Sequence, residues 1–205
     1  MFAGIVTEKG QVSALQAHAG GLRLEVESSL FQSNAELELG ESICISGVCM
    51  TVVDWSAPKA SFDVSSETVR KTTLAALEVG TEVNLERSLC LGDRIDGHLV
   101  FGHVDQAVEC VSVQHEGETS RIRFKLPEAL KPLLAQKGSI AIDGVSLTVG
   151  EVEGDAFWVY VIPHTLKVTT LEAVQKGTKV NLEVDLLARY IARQFEVAGR
   201  ALWEN

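Results

Sequence analysis

The feature that most narrows what this 205-residue chain can fold into is an internal repeat held at fixed spacing. The run Ser42 to Val52, SICISGVCMTV, returns as SIAIDGVSLTV from Ser139 to Val149. Glu67 to Leu74 returns as His164 to Leu171, and Gly80 to Glu86 as Gly177 to Glu183. Thr68 and Thr165, Asn84 and Asn181, and Glu86 and Glu183 are each 97 residues apart. Chance similarity does not keep register over such lengths, so the chain is a tandem duplication. Two units of roughly a hundred residues are each long enough to bury a core. The expected division is 1–97, 98–184 and a tail, 185–205, without counterpart in the first copy.

The second pass begins within Asp96 to Asp105, DGHLVFGHVD. Its part Val100 to Val104 parallels Phe2 to Val6, each an apolar run around one glycine. Such a run reads as a strand with a close backbone approach. Leu22 to Glu27 alternates with period two, after a turn at Gly20-Gly21. Ile43 to Val53 is a long β-rich run, in which Gly47 predicts a bulge or bend. Ala60 to Val64 and Val83 to Arg87 are further strands; Ser66-Glu67-Thr68 opens a helical turn, and Thr72-Thr73 returns to extended structure. Many short strands and little helix predict an all-β fold of two antiparallel barrels, closed so that no long edge is exposed.

After the second copy, Asp185 is placed to cap a helix with apolar positions Leu187, Ile191, Phe195, Ala198 and Leu202. That stripe either packs on its own barrel or forms a seam with neighbouring subunits.

The formal net charge of −10 counts against a phosphate-backbone or anionic-membrane partner. Met1 leads straight into strand-like sequence without the basic and apolar regions of a signal peptide. Cys44, Cys49, Cys90 and Cys110 show no CxxC spacing, which fits reduced thiols in a cytoplasmic protein.

No phosphate loop, dinucleotide fingerprint, HExxH or GxSxG is present. No metal is expected: His98 and His103 are five apart, which on a strand puts them on opposite faces. His103 has Ile5 as its repeat mate, so it is either a hydrogen-bonded structural histidine or a proton carrier. Cys49 aligns with Ser146, and reads either as a small buried hydrophobe or as part of a polar pocket present in both copies. Thr68 and Thr165 serve the local turn or a polyol ligand; Asp185 caps a helix or handles a proton; Lys137 is a solvated turn residue or a ligand contact.

In this order the motifs resemble the riboflavin synthase family over nearly the whole chain. They are MF-x-GIV, SGVC-x-TVV, Leu85-Glu-Arg-Ser, DGHLVFGHVD, KGSIAIDGVSLTV, IPHTL-x-VTTL and VN-x-E-x-D. The resemblance implies two Greek-key barrels and a dismutation of two 6,7-dimethyl-8-ribityllumazine molecules, without cofactor or metal. It also implies a homotrimer held by the terminal helices, and it admits lumazine synthase as a partner. Ser42, Cys49, His103, Thr148 and Asp185 match positions associated with turnover, and Phe2 matches an aromatic near the reacting rings.

On this resemblance one ligand pocket takes Cys49, Met50, Thr51, Asp63, Val64, Ser65, Ser66, Glu67, Thr68, Gly102, His103, Val104 and Lys137. The other takes Ser146, Leu147, Thr148, Tyr160, Val161, Ile162, Pro163, His164 and Thr165, with Gly4, Ile5 and Val6 if the chain start reaches it. Ala3 stands where the family commonly has threonine, and Asp96 where glycine is commoner. The rival readings are a non-catalytic lumazine-binding relative, a flavin-dependent reductase and a nucleic-acid-binding barrel.

Overall fold

A computed structural model describes residues 1–32 and 37–203, with the side chains of 200–203 left aside. The first barrel is built from β1 (Glu8–His18), β2 (Gly21–Glu27), β3 (Ser42–Ile45), β4 (Val48–Ser56), β5 (Lys59–Ser65) and β6 (Glu82–Arg87). The second uses β7 (Gln106–Glu116), β8 (Thr119–Lys125), β9 (Ser139–Ile142), β10 (Val145–Glu153), β11 (Ala156–Val161) and β12 (Lys179–Val184). Helix α1 (Ser66–Lys71) follows β5, α2 (Pro163–Val168) follows β11, and α3 (Leu186–Trp203) ends the chain.

Both sheets close. The order around the first barrel is β1-β2-β5-β4-β3-β6, and the second repeats it as β7-β8-β11-β10-β9-β12. Every pairing between neighbours is antiparallel. Closure removes the unpaired edges that would otherwise template aggregation. Alternation fills each interior: Leu24, Val26, Ile43, Ile45, Phe62 and Leu85 are fully buried in the first barrel, and Ile122, Phe124, Ile140, Ile142, Phe157 and Leu182 in the second. Burying such side chains contributes roughly 1.5–3 kcal/mol each.

Three details depart from the sequence expectation. The run from Ile43 to Val53 is two strands, not one with a bulge, because Ser46 and Gly47 (φ 44° and 82°) form a two-residue turn between β3 and β4. Asp143 and Gly144 (φ 45° and 78°) do the same between β9 and β10. Positive φ at both central residues matches the right-handed twist of the flanking strands. Thr72 is extended, as expected, but Thr73 opens a 3₁₀ turn through Ala76, capped by the Thr72 hydroxyl. Finally, Phe2–Val6 and Val100–Val104 are not barrel strands. They meet in one isolated bridge, Phe2 N–H to Val100 O at 2.7 Å and Val100 N–H to Phe2 O at 3.0 Å.

Those two segments are exchanged between the barrels. Val6, which precedes the first barrel, packs against the core of the second, and Val104, which precedes the second, packs against the core of the first. Phe2, Cys44, Val100 and Ala141 form a small core where the barrels meet. Gly47 and Gly144 touch there: a Cβ on Gly47 would lie 2.7 Å from Gly144 N.

Asp185 accepts from Leu187 N–H at 2.8 Å, the cap expected for α3. The apolar stripe of that helix does not pack on its own barrel: Leu187, Ile191 and Phe195 are 67%, 57% and 75% exposed. Leu202 lies outside the described side chains. No helix among the described residues is long and apolar enough to cross a membrane.

Candidate functional site

In the hairpin β3–β4, Ile43, Ile45, Val48, Met50 and Val52 fill the barrel, so period two sends the alternate side chains outward. Register places Ser42 opposite Thr51 and Cys44 opposite Cys49. The outer face of this hairpin receives the exchanged segment. Cys49 N–H donates to Gly102 O at 3.0 Å, and Gly102 has φ +73°. A Cβ at Gly102 would lie 2.4 Å from Cys49 N and 2.6 Å from Cys49 Cβ, so only glycine fits.

The second barrel repeats the arrangement. Ser146 N–H donates to Gly4 O at 2.8 Å, Gly4 has φ +74°, and a Cβ there would lie 2.6 Å from Ser146 Cβ. The start of the chain therefore does reach the second barrel.

Two buried carboxylates hold these segments. Glu86 accepts from Ala3 N–H at 2.7 Å and Gly4 N–H at 3.1 Å. Glu183 accepts from Phe101 N–H at 2.7 Å and His103 N–H at 2.9 Å. Burial pushes the Glu86 carboxyl up to about 7 against the pull of those amides, and it raises Glu183 in the same way.

Beside the first hairpin lies a cavity of about 200 Å³, lined by Val48, Cys49, Glu67, Thr68, Lys71, Thr72, Gly102, His103 and Val104. An adjoining one of about 320 Å³ shares Lys71, His103 and Val104 and continues to Phe101, Asp105, Glu183, Val184, Leu186 and Arg189. His103 is exposed, its ring 6.0 Å from that of Phe101. The far wall is the start of α1, where Ser65 accepts from Thr68 N–H at 3.1 Å. Thr72 Oγ1 donates to Thr68 O at 2.7 Å, and Lys71 Nζ meets Glu67 Oε1 at 3.0 Å.

Six of the residues picked from sequence thus come together: Cys49, Glu67, Thr68, Gly102, His103 and Val104. Ser42 and Thr51 share the outer face of the hairpin, whereas the side chains of Met50 and Val64 lie in the barrel core. Asp63 pairs with Arg23 at 2.6 Å, which holds its carboxyl below the usual range. Ser66 is the exposed first residue of α1. Lys137 does not line the Cys49 cavity; it stands on the second barrel, before β9, with its N–H on Val149 O at 2.8 Å.

On the second barrel, Ser146 and Thr148 face outward while Leu147 and Val161 pack on the core. Tyr160 is 42% exposed, its hydroxyl donating to Glu151 at 2.8 Å. Ile162 and His164 are exposed at the start of α2, which has Pro163 in place of a side-chain cap. Thr165 O accepts from Thr169 Oγ1 at 2.7 Å, copying Thr68 and Thr72. Phe2 is fully buried at the barrel junction, and Ile5 is exposed at the position matching His103.

Sequence reasoning passed over four groups. Lys71 has Val168 as its repeat mate, so the duplication gave no signal for it. Glu86 and Glu183 sat inside a recognised motif without a role. His98, set aside as a metal ligand, places Nδ1 2.7 Å from Ser146 Oγ. Burial lowers the proton affinity of this imidazole, and the Asp185 carboxylate acts in the opposite direction.

The lumazine binding domain family model matches this chain twice, over residues 3–88 and 101–185. The riboflavin synthase of Brucella abortus (strain 2308) is 45% identical over 198 residues, 94% of this chain and 97% of its own. That of Mycobacterium tuberculosis (strain H37Rv) is 41% identical over 204 residues, 97% of this chain and 100% of its own. That of Bacillus subtilis (strain 168) is 35% identical over 193 residues, 94% of this chain and 89% of its own. Among solved structures, LumP complexed with riboflavin superposes with a TM-score of 0.82 at 25% identity, covering 90% of this chain and 100% of that one. LumP complexed with 6,7-dimethyl-8-(1'-D-ribityl) lumazine gives 0.81 at 24% identity, a likeness of fold, over 90% of this chain and 99% of that one.

Proposed function

The chain belongs to the riboflavin synthase family, and from that premise we propose how its paired pockets carry out the family's reaction. Two molecules of 6,7-dimethyl-8-ribityllumazine dismutate; one passes a four-carbon unit to the other, giving riboflavin and 5-amino-6-(ribitylamino)uracil. The observation that carries the reading is the exchange of segments, which builds the same backbone arrangement on two barrels, at Cys49–Gly102 and at Ser146–Gly4. A reaction between two identical ligands needs two such pockets.

The 7-methyl group of the lumazine is acidic for a carbon acid, because its anion delocalises into an electron-poor ring. His103 takes that proton, directly or through water, a role supported by its exposure in the cavity beside Cys49. Cys49, Ser42 or a water adds at the ring carbon of the acceptor. Thr148 and Asp185 bind or orient from the second barrel. Holding two flat rings in contact supplies much of the acceleration, up to ~7–11 kcal/mol in well-oriented pairs.

The productive pair forms between subunits of a homotrimer, the first barrel of one facing the second barrel of the next. Two features support this. The apolar stripe of α3 is uncovered in the single chain. Lys137, assigned to the Cys49 pocket by resemblance, does not line the Cys49 cavity of its own chain and stands on the second barrel, the one that faces the next subunit in this arrangement. The four free cysteines support a cytoplasmic enzyme, and the family resemblance admits lumazine synthase as a partner.

The test is incubation of purified protein with 6,7-dimethyl-8-ribityllumazine while flavin and lumazine absorbance are followed together. One flavin formed per two lumazines consumed is the expected result. Tight binding without flavin would instead assign the chain to non-catalytic binders.

A further inference from the structure

The segment that crosses from one barrel to the other carries two histidines, and they part company. His103 lines the two cavities beside Cys49. His98 turns to the second barrel, with Nδ1 2.7 Å from Ser146 Oγ. Ser146 is the repeat mate of Cys49 and receives the exchanged strand end at Gly4 as Cys49 receives it at Gly102. The two equivalent places therefore have different histidines beside them: His103 shares the cavity of Cys49, and His98 bonds the Ser146 hydroxyl.

His98 is held firmly. Its N–H donates to Ala3 O at 3.1 Å. The preceding Gly97 is pressed so closely that a Cβ there would lie 2.2 Å from Ala3 O and 2.9 Å from Ser146 Oγ. The glycine keeps this approach open, and any side chain would push the imidazole off the serine.

We propose that the crossover segment supplies one imidazole to each ligand pocket, with His98 as a positioning residue that fixes the direction of the Ser146 hydroxyl. This rests on the reading of the two barrels as lumazine sites. A serine hydroxyl offers one proton and two lone pairs, and it rotates to suit its partners. If Nδ1 accepts, the Ser146 proton is committed to His98 and both lone pairs of the hydroxyl are left for a ligand donor. If Nδ1–H donates, the Ser146 proton is left for a ligand carbonyl. Each tautomer locks the hydroxyl in one sense, which suits recognition of a pteridine carbonyl or a ribityl hydroxyl. Burial, which disfavours the imidazolium, keeps both senses available only to a neutral ring.

The experiment compares the full-length protein with His98→Ala, Ser146→Ala, the double variant and His98→Asn, which keeps a polar atom near the Nδ1 position. Lumazine turnover and titration with riboflavin, an unreactive ligand here, are both measured, with circular dichroism as a check on folding. Each alanine variant is expected to lower kcat/KM roughly tenfold, mostly through KM. The double variant should be no worse than the worse single, and His98→Asn should recover most of the loss. Multiplicative losses, or an unchanged His98→Ala, would overturn the proposal. If the parent protein makes no flavin, the synthase reading falls, yet riboflavin titration still reads the coupling of His98 to Ser146. Absence of riboflavin binding by the parent would overturn both.

Discussion

Asn84 and Asn181 reach across the junction between the barrels and bond each other's hairpins. Asn84 Nδ2 donates to Asp143 O at 2.9 Å, and Asn181 Nδ2 donates to Ser46 O at 2.8 Å. Their amide oxygens accept from Thr170 N–H and Thr73 N–H, both at 2.8 Å. Each side chain satisfies two main-chain groups of the opposite barrel, at 1% exposure. This pair ties the two barrels together across their junction.

Replacing either asparagine with alanine should therefore cost more than an average surface change. Asn181→Ala orphans Ser46 O and Thr73 N–H together, at about 1–3 kcal/mol for each group left without water. Urea unfolding of Asn84→Ala and Asn181→Ala should show closely similar losses, because the contacts are reciprocal. A marked inequality would mean that the barrels do not depend equally on the junction.

Asp143 gives a stability prediction with a definite sign. It is the repeat mate of Ser46, and its Oδ1 accepts from Asn181 N–H at 2.7 Å as Ser46 Oγ accepts from Asn84 N–H at 3.1 Å. Burial pushes its carboxyl up to about 7 from 3.8. The folded state thus holds a proton that the unfolded state releases between pH ~4 and ~7. Its contribution to stability falls as pH rises through that window and is flat above it. Glu86, also raised to about 7, acts in the same direction. Asp143→Ser keeps an acceptor at a φ that Ser46 already tolerates (44° against 45°) and removes the buried charge. Urea midpoints at pH 7.5 should rise by ~1–2 kcal/mol equivalent, with a smaller gain at pH 5.

What the sequence made legible, and what it hid, follows from the range of the interactions. Alternation in Leu22 to Glu27 and the fixed repeat spacing report local structure and duplication directly, so barrel, copy number and terminal helix could be read. The turn at Ser46-Gly47 was missed because glycine inside an apolar run also signals a bulge; Asp143-Gly144 in the second copy is the stronger hairpin signal. The crossover from Asp96 to Asp105 reads locally as a strand. Its backbone is instead satisfied by Glu183, 80 or more residues away, and by Ala3 and Phe2. No local pattern announces such partners, and for the same reason Glu86 and His98 had no visible role. Cys49, Thr68 and His103, which line one cavity, stand out in the sequence because the family motif marks them and the duplication shows which of them differ between copies.

Cys49→Ser and His103→Gln test the two groups that distinguish the first pocket from the second. Cys49→Ser makes the first hairpin match Ser146, while His103→Gln keeps polarity without a titrating ring. Both side chains line a cavity, Cys49 also touching the small junction core, and both changes are near-isosteric, so stability should change by no more than ~1 kcal/mol. Turnover of lumazine should fall by roughly 10²-fold for His103→Gln, the ordinary worth of a positioned proton carrier, with ligand affinity changed little. Unaltered kcat in both variants would remove them from the mechanism.

The exposed stripe of α3 yields the last prediction. Leu187, Ile191 and Phe195 recur every four residues along one face, and each is more than half exposed in the single chain. An uncovered apolar stripe of this kind is the surface on which the proposed trimer would close. Arg189 of the same helix binds Asp105 at 2.8 Å and 3.0 Å, and Asp105 also accepts from Val184 N–H at 3.0 Å. The helix is thus tied at its first turn to the segment that carries His103. Introducing Ile191→Glu and Phe195→Glu together places two like charges on the seam, on a face that makes no contact with the barrel cores. Sedimentation should show the parent as three chains of 22.2 kDa and the variant as single chains with unchanged circular dichroism. On the proposed pairing of barrels from neighbouring subunits, turnover should be lost with the trimer. A monomeric variant that still makes flavin would place the complete site within one chain.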